Sequence, residues 1–89
     1  MASLLDSEVL NDDLAVSLAR SLAAANRRAH ECGVEADDSL ITISQIAGDA
    51  GALWRVNYGP RDYINQRGGD LIVEVNPADA SILRVIRGQ

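Results

Sequence analysis

The chain has 89 residues, 47% of them hydrophobic, which suits one small globular domain and excludes two. Thirteen acidic residues face eight arginines and no lysine, and the net charge of −5 argues against non-specific binding to nucleic acid or to anionic membranes. There is no Phe and aromatics reach only 3%, so the core must be aliphatic with Trp54 as its largest block.

The charge is uneven, −6 over residues 1–49 and +1 over residues 50–89. Cys32 is the only cysteine, so no internal disulfide can form. The first residues, MASLLDSEVLNDD, lack the basic start and apolar core of a secretory signal. No run approaches the roughly 20 apolar residues of a membrane helix. A soluble, cytoplasmic protein is the expectation.

Residues 1–10 carry Leu4, Leu5, Val9 and Leu10, as a helical turn packed on the domain or as a frayed end. The main helix is expected to start near Asn11, a good N-cap, although a start at Asp6 also fits. Asp12 and Asp13 then place negative charge at the positive end of the helix dipole. Ala15, Leu18, Leu22, Ala25, Ala29 and Cys32 recur at intervals of three and four, forming one apolar stripe. Its residues shrink toward the C-terminal end, where the helix can approach a sheet closely. Gly33 is a natural terminator, since it tolerates the left-handed conformation that ends helices.

Val34–Ser39 reads as an acidic loop with Asp37 and Asp38. Leu40–Ile46 is a half-buried strand rich in β-branched residues. Ala47–Gly51 is a turn, and Ala52–Tyr58 is a second strand with Trp54, Val56 and Tyr58 on one face. Gly59–Gly69, GPRDYINQRGG, has no period and reads as a long loop pinned by Tyr63 and Ile64. Gly68–Gly88 holds a hairpin, with Leu71, Val73 and Val75 alternating before the turn Asn76-Pro77-Ala78-Asp79-Ala80 and Ile82, Leu83, Val85 and Ile86 after it. A hairpin needs a cover for its apolar face, and the long helix is the candidate. The fold class expected is α+β: one N-terminal helix packed on a four-stranded antiparallel meander, a cystatin-like two-layer domain.

Catalytic and metal readings are weak. His30 has no second His or Cys to complete a zinc site, and Cys32 on the apolar stripe reads as a small buried filler. Asp12-Asp13 and Asp37-Asp38 do not match a calcium loop, and the glycine pairs precede strands rather than a helix that could hold a phosphate. No catalytic residue, cofactor or metal is therefore expected. Arg84 and Arg87 read as charges that discourage edge-to-edge pairing of an exposed strand. Arg61 and Arg67 in the long loop suit contact with a partner's carboxylates equally well.

The run Leu53–Gln89 resembles the nuclear-transport-factor-like immunity proteins of bacterial polymorphic toxin systems. Trp54, Val56, Gly68, Gly69, Val73, Val75, Ile82, Leu83 and Gly88 carry the likeness. Members usually have a glycine in the last turn, which residues 76–80 lack. The hairpin is also similar to the PepSY domain, whose members regulate or inhibit peptidases. The first resemblance implies a non-enzymatic inhibitor that neutralises a protein toxin by surface complementarity. The second implies a module that holds a peptide or small ligand. Asp37, Asp38, Arg61, Tyr63 and Arg67 are the candidate partner-binding residues. If the last strand is an edge, two copies could pair along it.

Overall fold

A computed structural model describes residues 7–49, 51–61 and 70–88. A short helix, α1 (Ser7–Leu10), precedes the main helix, α2 (Asp13–Glu31). A 3-10 turn over Ala36–Asp38 leads into four strands, β1 (Ser39–Gly48), β2 (Gly51–Pro60), β3 (Leu71–Val75) and β4 (Ile82–Arg87). The strands form one antiparallel sheet in sequence order, β1-β2-β3-β4, and α2 packs on β2 and β3. This is the expected α+β meander. Leu4, Leu5, Tyr63, Ile64, Arg67, Gly68 and Gly69 lie outside the described residues.

The ends of α2 follow from local chemistry. Asp12, not Asn11, is the N-cap; its carboxylate accepts the Ala15 amide at 3.1 Å. Asn11 is instead held by α1, its amide bonded to the Ser7 carbonyl. At the other end Gly33 has φ +83°, its amide donates to the His30 carbonyl, and the Val34 amide donates to the Ala29 carbonyl. That pair of bonds is the Schellman closure, and it needs a residue free to adopt positive φ.

Two strands run further than expected. Gly59 and Pro60, read as the opening of the long loop, pair with Leu40 and Ser39 as the last residues of β2. Proline has no N–H for a ladder, but the β2–β3 pairing stops at Tyr58 opposite Leu71, so Pro60 lies beyond the end of β3. The β1–β2 ladder also reaches Gly48 opposite Gly51, which narrows the expected five-residue turn to two residues.

The core lies between α2 and the middle of the sheet. Val56, Leu71, Val73 and Val75 are fully buried, with Ala25 and Ala29 of α2 pressed against them. The two large aromatics of β2 each carry a polar tip to the helix. Trp54 Nε1 donates to Ser17 Oγ at 3.2 Å, and that hydroxyl donates to the Pro77 carbonyl. The Tyr58 hydroxyl donates to Asn26 Oδ1 at 2.6 Å, and burial pushes its pKa up to about 12. These bonds tie helix, β2 and the β3–β4 turn in fixed register, because a buried hydroxyl or indole N–H left unpaired is costly. Ser21 is the exception: it is fully buried on α2 and its hydroxyl has no partner among the described residues.

Cys32 is half-buried at the helix end, where its carbonyl accepts Arg87 Nη2 at 2.6 Å. His30 and Glu35 form an exposed pair at 2.7 Å across the same end.

Candidate functional site

Alternation along the strands gives the sheet two faces. The residues opposite one another in register, Ile43, Val56, Val73 and Val85, lie on the helix side. The intervening residues lie on a second face that no described element covers. Across the middle of that face run Ser44, Arg55, Glu74 and Arg84, one from each strand and directly opposite one another.

Glu74 is held from both sides. Arg55 donates from Nη2 at 2.7 Å and from Nε at 3.0 Å to one carboxylate oxygen. Arg84 Nε donates to the other oxygen at 3.2 Å. The two guanidiniums shield the carboxylate so well that its side chain is only 5% exposed, although it sits on an open face. The hydrogen bond from Arg55, reinforced by Arg84, holds the Glu74 pKa below the usual carboxylate value against the opposing effect of burial. Arg84 keeps 61% of its side chain exposed, so one positive charge on this face is left for an outside group.

Apolar side chains flank this row. Ile72 and Ile86, paired across β3 and β4, are half-buried on one side of it. Ile46 and Leu53, paired across β1 and β2, are half-buried on the other. Leu83 adds a 52% exposed side chain where the β3–β4 register slips, Glu74 facing Arg84 and Val75 facing Ile82. The open face thus sets half-exposed aliphatic residues around a buried carboxylate whose two arginines stay partly in solvent.

The residues expected from the sequence to bind a partner fall elsewhere. Asp37 and Asp38 are exposed on the 3-10 turn, which replaces the expected loop. Because Ser39 pairs with Pro60, Asp38 and the exposed Arg61 leave the β1–β2 ladder at the same end. The structure thus gathers Asp37, Asp38 and Arg61 at one end of the sheet, while Tyr63 and Arg67 lie outside the described residues.

Arg84 and Arg87, read as blunting charges, also bind within the fold, to Glu74 and to the Cys32 carbonyl. Glu74 escaped the sequence reading because it interrupts an otherwise apolar strand and looks like one more outward-facing polar residue. Its signal was an acid on β3 with arginines at outward positions on both neighbouring strands, legible only once the register is known.

Among the described residues no group of three or more His, Cys, Asp or Glu could hold a metal, and no helix is long and apolar enough to cross a membrane. No protein-family model, curated protein or solved structure matches the chain.

Proposed function

We propose that this chain is a non-enzymatic binding protein that occupies a protein partner by surface complementarity, in the manner of an immunity-type inhibitor on a toxin domain. The observation that carries this reading is Glu74 locked between Arg55 and Arg84 in the middle of an uncovered, partly aliphatic sheet face. A pre-formed charge cluster keeps such a face rigid before contact and lowers the cost of ordering it. The exposed guanidinium of Arg84 suits an acidic group on the partner. The Asp37–Asp38 end of the sheet suits a basic one.

The alternative, a PepSY-like module for a peptide or small ligand, calls for a concavity. Clefts of about 250 Å³ beside Arg27 and Ile82, and about 160 Å³ beside Leu53 and Leu83, are lined by described residues. Each of these two is smaller than the roughly 300–1,000 Å³ usual for small-molecule sites.

The test is calorimetric titration against the product of the neighbouring gene, using the wild-type chain and an Ile72→Asp variant. A micromolar or tighter complex that Ile72→Asp weakens at least about tenfold would support the reading. A complex indifferent to Ile72→Asp but lost in an Asp37→Asn, Asp38→Asn variant would move the contact to the end of the sheet. No binding to that product or to candidate peptidases would remove the proposal.

A further inference from the structure

The two edges of the sheet are built differently. β4 is short, slips register opposite Val75 and carries Arg84 and Arg87. Bulges and charges of this kind keep an edge from adding another strand. β1 has none of these devices. Its ten residues, SLITISQIAG, contain no charge and no proline, and their pairing with β2 is unbroken from Ser39 to Gly48. α2 packs over β2 and β3, so Ile41 and Ile43 remain only half-buried beside this edge. On the other face Leu40 is 52% exposed, and Thr42 and Ser44 are exposed.

The geometry points to β1 as a self-pairing edge: two copies of the chain join their β1 strands antiparallel about a two-fold axis at Ile43, making one continuous eight-stranded sheet. The occupant is a second copy because the strand complements itself. With the axis at Ile43, Thr42 faces Ser44 of the second copy and Leu40 faces Ile46. Ile43 faces its own equivalent, and Ile41 faces Gln45. Hydroxyl thus meets hydroxyl, and aliphatic meets aliphatic, on the open face, and such cross-strand pairs are what stabilise a ladder. No charge lies within Ser39–Gly48, but the same register brings Asp37 and Asp38 of one copy beside Asp49 of the other at each end of the ladder, a repulsion that salt screens. The two-fold axis is normal to the sheet, so both helices lie on one side and both Arg55–Glu74–Arg84 rows on the other. The inference stands apart from the proposed function, since it uses neither the partner nor the charged row.

Sedimentation equilibrium of the full chain across micromolar to hundreds of micromolar concentration tests it. A reversible dimer that strengthens with added salt is expected. A variant with Thr42→Glu and Ser44→Glu places acid opposite acid twice and should weaken the dimer by about tenfold or more. A variant with Thr42→Lys and Ser44→Glu places opposite charges across the same axis and should retain it. Circular dichroism checks that both variants fold. A monomer at every concentration overturns the proposal. So does a dimer that both variants leave unchanged, or one that both abolish while remaining folded, because either places the contact or its register elsewhere.

Discussion

The two faces of this sheet bury their central residues by opposite means. On the helix side Val56, Val73 and Val75 lose water to Ala25, Ala29 and their neighbours, and the polar tips of Trp54 and Tyr58 are bonded to α2. On the open side Glu74 loses water to two arginines that themselves stay partly in solvent. The first arrangement holds the layers together. The second stiffens a surface that nothing else in the described structure covers. Apolar burial therefore accounts for stability, while the charged row accounts for the shape of the exposed face, and perturbations should separate the two.

The largest effect is expected on the helix side. Trp54→Ala removes the biggest core side chain and its bond to Ser17, and should cost about 3–5 kcal/mol in urea unfolding, enough to unfold much of a domain of this size. Its counterpart on the open side is smaller. Glu74→Gln keeps the shape but removes the charge that both arginines share, and should cost about 1–2 kcal/mol, since the arginines can turn to water.

Acid should act on that same carboxylate. Its folded pKa lies below its unfolded one, so its contribution is present above pH ~4.5 and is lost as pH falls through the lowered value. A wild-type acid-unfolding curve steeper than that of Glu74→Gln would show it.

Alkali should act on the helix side. The Tyr58 pKa rises from 10.0 to about 12 on folding, so the unfolded chain loses this proton first. Its contribution is intact below pH 10 and is lost as pH rises through about 12. Tyr58→Phe should flatten the decline in melting temperature over that window. If both variants decline alike, the hydroxyl is not the group responsible.

The smallest effect should be a gain. Ser21→Ala removes from the helix–sheet seam a buried hydroxyl that has no partner among the described residues, and it favours the helix, so it should stabilise by about 1 kcal/mol. A loss of stability there would mean that the hydroxyl is satisfied in solution. The β3–β4 turn offers a further increment: Ala80 sits at φ +60°, and glycine there should relieve strain worth roughly 1 kcal/mol, less the packing its methyl gives up.

The helix and strands were legible because periodicity reports which side of an element meets the core. The stripe from Ala15 to Cys32 and the alternation of Trp54, Val56 and Tyr58 each matched the face that the structure buries or half-buries. Gly33 was legible as a terminator because positive φ is a local requirement. The N-cap was misplaced by one residue, because Asn11 and Asp12 are both good caps and only the bond from Ala15 distinguishes them. Ser21 was missed because a polar residue does not announce itself on an apolar stripe.

By itself, then, the order of residues determined the α+β class, the sequence of elements and the side each turns inward, since all three rest on interactions between residues a few positions apart. It could not determine what stands opposite what. The clamp on Glu74 joins residues 10 and 19 positions away, and the bond from Trp54 to Ser17 spans 37. The contrast between a guarded β4 and an unguarded β1 exists only once strand order is known. Such features depend on register, and register is set by the packing of the whole sheet against its helix, which no local pattern encodes.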